Sequence, residues 1–130
     1  PFGHLKFTIA HHGSGLPDGS YGGSPAGFLI TAEGKRIYIV GDTALFGDMK
    51  LYADPKIDLM VVPIGDNFTM GPQDAIQAVE WVGPRITVPC HYNTWPPIAQ
   101  NPEAWASHIA NKGIPTDVRI MAPGDTLDLA

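Results

Sequence analysis

A strand that reads IDLMVVPI (Ile57–Ile64) has no polar side to offer to water. Strands that lie half in solvent alternate apolar and polar residues, because successive side chains point to opposite faces. This run is apolar almost throughout, so both of its faces need covering, as in a parallel or mixed sheet with a layer on each side. Other short apolar runs surround it: Leu5–Ala10, Ala26–Thr31, Lys35–Val40, Arg85–Pro89, Val118–Ala122 and Thr126–Ala130. The second and third are joined by Ala-Glu-Gly-Lys, which predicts a hairpin. Two helices are expected. The first spans Pro72–Val82, with proline in its first turn, Ile76, Val79 and Val82 on one face, and Gly83-Pro84 as the stop. The second spans Pro102–Lys112, capped by Asn101, ended by Gly113 and burying Trp105 and Ile109. Ala44–Asp54 predicts a weaker helical turn, interrupted by Gly47. The fold class that follows is α/β, a mixed sheet with helices on at least one face.

The 130 residues suit a single domain or half-domain with one core. Fifteen glycines and 13 prolines are scattered between the apolar runs, as many tight turns would require. A net charge of −5 leaves no basic stripe for nucleic acid or an anionic membrane. No apolar run approaches a membrane span. The single cysteine, Cys90, excludes an internal disulfide and suits a reducing compartment, so a cytoplasmic location is expected.

Four apolar runs end in polar, glycine-rich clusters: His-His-Gly-Ser-Gly after Ala10, Gly-Asp-Thr after Val40, Gly-Asp-Asn-Phe-Thr-Met-Gly after Ile64, and Cys-His-Tyr-Asn-Thr after Pro89. Ligands of open α/β sheets sit beyond the carboxyl ends of strands, so these clusters mark a candidate site. Histidine and aspartate bind borderline divalent metals, and a carboxylate can bridge two ions. No HxH, HExxH or CxxC spacing occurs. Taken by themselves, the residues fit a metal site or a set of hydrogen-bonded turns.

The strings AHHGS, IVGDTALFGDM, PIGDNFTMGP and VPCHYNTWP resemble the second half of the metallo-β-lactamase superfamily, and within it the metal-dependent hydrolase family of bacteria and archaea. The resemblance implies the C-terminal half of a four-layer αββα sandwich. It implies a metal ligand at His12, a carboxylate bridging two metals at Asp42, and a ligand of the second metal at His91. The expected cofactor is a pair of divalent ions, zinc or manganese, whose bound hydroxide attacks an ester-, lactone- or phosphodiester-like bond of a small-molecule substrate. Alternation along the first strand puts His11 on the apolar face and His12 opposite. The resemblance selects His12, which leaves His11 as a structural residue or as a neighbour that orients a ligand.

The superfamily signature HxHxDH does not occur in the 130 residues. One histidine and a share of Asp42 for each metal fall short of the three protein ligands a catalytic zinc takes. The chain is therefore expected to be the C-terminal half of a fold of roughly 200–250 residues. The half carrying HxHxDH is the expected partner, and a homo-oligomer is compatible. A metal-free binding or assembly module that keeps the fold is the alternative, its exposed sheet serving as the partner surface.

Around the site, Asp66, Asn67 and Thr69 either line the substrate pocket or cap the helix that begins at Pro72. The loop at Tyr21-Gly22-Gly23 reads as a lid or as a plain connection. Cys90 is expected to be a buried structural thiol. Trp95-Pro96-Pro97 is expected to pack the loop after His91, and Asp48 and His108 to be solvated.

Overall fold

Antiparallel and parallel pairing divide the sheet between them. In the computed structural model, which describes residues 2–129, six strands lie side by side in chain order. They are β1 (His4–Ile9), β2 (Ala26–Ala32), β3 (Lys35–Ile39), β4 (Leu59–Pro63), β5 (Ile86–Cys90) and β6 (Asp117–Val118). β2 runs antiparallel to both of its neighbours, and β3 to β6 are mutually parallel. The hairpin between β2 and β3 turns on two residues, Glu33 and Gly34, both at positive φ (50° and 75°). That is the turn whose twist matches paired strands, and glycine makes its second position cheap. Since β1 and β3 both oppose β2, the carboxyl ends of β1, β3, β4 and β5 reach the same edge of the sheet.

Helix α1 spans Pro72–Val82 and α2 spans Pro102–Asn111. Gly83 ends α1 in the left-handed conformation at φ 60°. The Asn101 side chain caps α2 by accepting the Ala104 N–H at 2.8 Å. The buried stripe of α1 (Ala75, Ile76, Ala78, Val79, Val82) and Trp105 and Ile109 of α2 form one core with the inward residues of the sheet. A cross-strand row, Leu29–Tyr38–Met60–Thr87, presents that sheet face, and all four are buried.

The opposite face carries two further rows. They read Leu5–Ile30–Ile37–Leu59–Ile86 and Phe7–Phe28–Ile39–Val61–Val88. Every member is apolar, yet Leu5 and Phe7 are exposed, Phe7 by 67%, as is Ile9 on the same side of β1. Phe28, Ile30, Ile37, Ile39, Leu59 and Val61 are only half-buried. β4 is thus sealed on its helix side by Met60 and Val62 and left partly open on the other.

Three expectations about the elements are corrected. Val118–Ala122 does not form a strand of that length. β6 ends at Val118: the Arg119 N–H to Thr87 carbonyl bond is the last rung, and Pro89, next in line on β5, has no N–H to continue the ladder. Thr126–Ala130 forms no strand within the described residues, and Ala130 lies outside them. The turn at Pro123-Gly124 instead carries Thr126–Leu129 to a hollow beside Ala32, Lys35 and Ile37 of the hairpin. The weak helical turn after Ala44 is a 3-10 helix over Gly47–Tyr52 that buries Met49. Among the described residues no helix is long and apolar enough to cross a membrane.

Candidate metal centre

The loops at the shared strand edge are tied to one another before any side chain is considered for chemistry. After β1, the His11 N–H donates to Thr43 Oγ1 at 2.8 Å, and the His11 carbonyl accepts from the Ala44 N–H at 3.1 Å. After β3, the Thr43 carbonyl accepts from the Met70 N–H at 2.9 Å. Thr43 is fully buried and joins the loops that follow β1, β3 and β4. Reading the sequence singled out its neighbour Asp42 and passed over Thr43. Its only signal is a small β-branched hydroxyl placed directly after the aspartate.

Asp42 and His91 emerge from β3 and β5 with Asp42 Oδ2 3.5 Å from His91 Nε2. The Asp42 side chain is half exposed and that of His91 more enclosed. His91 holds φ at 54°, the left-handed region that non-glycine residues seldom occupy. Its Nδ1 atom is buried with no hydrogen-bond partner. The loop after β4 makes room for it: a Cβ on Gly65 would collide with the His91 carbonyl oxygen and press on Nδ1.

The pair suits a divalent metal. Two donors held at about 2.1 Å on one tetrahedral ion stand about 3.4 Å apart. Carboxylate oxygen and imidazole nitrogen are also the correct donor types. His12 stands apart from them. It is exposed, and its Nδ1 lies 2.8 Å from the Gly13 carbonyl oxygen. Among the described residues, no group of three His, Cys, Asp or Glu side chains could hold an ion. The His11 ring lies flat on Phe46, with centroids 5.1 Å apart.

The remaining candidates serve their own loops. The Asp66 carboxylate accepts the Asn67 N–H, the Asn67 amide donates to the Pro97 carbonyl at 2.6 Å, and the Thr69 hydroxyl donates to the Met70 carbonyl. None of them caps α1, whose cap residue is Gly71. Tyr21 is exposed, its hydroxyl 2.8 Å from Ser24 Oγ. Burial, reinforced by the Asp42 charge, pushes the Cys90 thiol up to about 12. Cys90 is therefore an unreactive thiol at neutral pH, though it is only partly buried. Trp95 differs from expectation: it is 49% exposed, and its ring stacks on Phe68, which the sequence reading overlooked. A cleft of about 760 Å³ borders His91, walled by Pro89, Tyr92, Glu103, Ile120 and Met121 among others.

Comparison with known proteins places this edge in a family. Residues 2–92 match the model of the beta-lactamase superfamily domain. The chain belongs to the metallo-β-lactamase superfamily. It is 50% identical over 127 residues to a UPF0173 metal-dependent hydrolase of Thermus thermophilus, covering 98% of this chain and 56% of that protein. A relative in Shouchella clausii, of the same description, is 50% identical over 134 residues, covering 98% and 57%. Among solved structures, Igni18, a metallo hydrolase from the hyperthermophilic archaeon Ignicoccus hospitalis, superposes with a TM-score of 0.82 at 34% identity, covering 95% of this chain and 51% of that one. The chain spans little more than half the length of these superfamily relatives.

The Gly65 contact yields a test of the site. Gly65→Ala is expected to displace His91 and, on the reading of His91 as a ligand, to lower metal affinity by about 10–100-fold in the full-length protein, the range seen when support for a ligand is lost. Chelator competition measures it, and an unchanged affinity would show that His91 tolerates the shift.

Proposed function

We propose that this chain forms the C-terminal half of a binuclear metal-dependent hydrolase, in which Asp42 bridges two ions and His12 and His91 each bind one. The observation that carries this reading is the Asp42–His91 pair, 3.5 Å apart at the strand edge, with a buried imidazole nitrogen behind it. The names of the relatives, metal-dependent hydrolases, support the same class. Zinc is the favoured ion, with manganese compatible with the same donors. When bound, such an ion pair supplies activated water for cleavage of an ester-, lactone- or phosphodiester-like bond.

The chain's own residues do the rest. Thr43 ties the backbone of His11, the residue before His12, to the loop that carries Asp42. Gly65 leaves space for His91, and the loop bonds from Asn67 to Pro97 and from Gln100 to Asn93 and Gly65 brace the loop that follows it. The ligands still lacking are assigned to a segment carrying HxHxDH. Its own sheet would cover the two apolar rows of β1 to β5, since apolar patches of this extent mark a buried surface. Both proposals are supported by the length of the relatives, of which the chain covers 56–57%.

The absence, among the described residues, of a three-ligand cluster favours one competing reading. In that reading the chain is a metal-free module whose apolar sheet face binds a partner. Elemental analysis separates the two. The full-length protein is expected to hold two equivalents of zinc, and residues 1–130 alone fewer than one. A metal-free full-length protein that gains no ion on dialysis against zinc would leave the binding module as the correct reading.

A further inference from the structure

The loops that follow β4 and β5 each expose an aromatic ring, and the two rings meet. Phe68 and Trp95 stack with centroids 5.5 Å apart and planes 16° apart, yet they remain 51% and 49% exposed. Aromatic rings that only pack a loop bury most of their area, whereas these leave half of it facing water. Their position is also tightly set. The Asn67 amide donates to the Pro97 carbonyl at 2.6 Å, the Gln100 N–H to Asn93 Oδ1 at 2.7 Å, and the Gln100 amide to the Gly65 carbonyl at 3.3 Å. Asp66, Asn67, His91 and Asn93 all sit at positive φ, so these two loops hold four of the five non-glycine residues in that region among the described residues.

The same two loops lead to the metal ligands. Trp95 lies four residues after His91, and Phe68 two residues before Met70, whose N–H binds the Thr43 carbonyl beside Asp42. We propose that the Phe68–Trp95 stack is the apolar subsite of the hydrolase, receiving a flat aryl group of the substrate beside the bond cleaved at Asp42 and His91. A stacked pair presents a rigid edge and face to a planar group at little cost in side-chain freedom. This proposal rests on the hydrolase reading given above. The substrate class it names is an ester- or lactone-like compound with an aromatic substituent.

The test uses the full-length protein and two readouts. The first is saturation-transfer NMR with 2-naphthylmethanol on the metal-free protein, which does not depend on catalysis. Wild type is expected to bind the probe, Trp95→Ala and Phe68→Ala to weaken it about threefold to tenfold, and Trp95→Phe to retain it. The second readout is hydrolysis of γ-phenyl-γ-butyrolactone and unsubstituted γ-butyrolactone by the zinc-loaded protein. Trp95→Ala should lower kcat/KM on the phenyl lactone about threefold to tenfold and change the unsubstituted lactone by less than twofold. Equal losses on both lactones would assign the stack to loop structure and overturn the proposal. Naphthyl binding that is absent in wild type, or unchanged in both alanine variants, would also overturn it. The former would mean that the remainder of the protein covers the rings. Should wild type cleave neither lactone while the probe binds at Trp95, the reading of the bond type fails and the subsite stands.

Discussion

On the proposed bridging role of Asp42, Asp42→Asn in the full-length protein is expected to remove more than half of the bound metal and to lower hydrolysis by more than about 100-fold, beyond the loss typical of a residue that merely supports a ligand. The substitution keeps the size of the side chain and removes its charge. An amide oxygen is a weaker donor than a carboxylate and cannot bridge two cations with a full negative charge. The fold should survive, because the Asp42 side chain is half exposed and makes no buried hydrogen bond, whereas Thr43 beside it carries the loop. Elemental analysis reads the metal, circular dichroism reads the fold, and turnover of a generic phosphodiester reads the activity. An unchanged metal content in a folded Asp42→Asn protein would remove Asp42 from the ligand set.

The largest expected loss of stability lies on the other side of the sheet. Trp105 is buried between α2 and the first turn of α1, and its indole N–H donates to the Pro72 carbonyl at 3.0 Å. Trp105→Ala removes the largest fully buried side chain and leaves a cavity, at a cost of about 3–5 kcal/mol. Trp105→Phe restores most of the buried surface and loses the hydrogen bond, so its cost should be clearly smaller. Urea unfolding of the full-length protein measures both. A loss below about 1 kcal/mol for the alanine variant would mean that α2 contributes little to the core.

Local chemistry made part of this fold legible before any coordinates. The bounds of α1 followed from Pro72 at its start and Gly83 at its end, and the hairpin from Glu33-Gly34, because each signal acts within a few residues. The shared edge was legible too, since four apolar runs each stop at a polar cluster and pairing with β2 sets their direction. What escaped depends on distant partners. Whether Thr126–Leu129 becomes a strand depends on a free sheet edge, which its own residues do not encode. Trp95 read as loop packing because its stacking partner, Phe68, lies 27 positions away in the chain. Thr43 went unnoticed for a similar reason, as its partners His11 and Met70 lie 32 residues before it and 27 after it. That Asp42 and His91 meet across the end of β4, which lies between β3 and β5, is a fact of topology rather than of composition.

The half-open face of β4 has a consequence for when chemistry can begin. The edge that carries Asp42 and His91 is the rim of that same apolar face, so a layer laid over Phe7, Phe28, Ile39 and Val61 also walls the rim. Walling it thins the water around a half-exposed carboxylate and strengthens every charge interaction there. On the proposed arrangement, closing the hydrophobic seam, completing the ligand set and strengthening the electrostatics of the site would then be a single event.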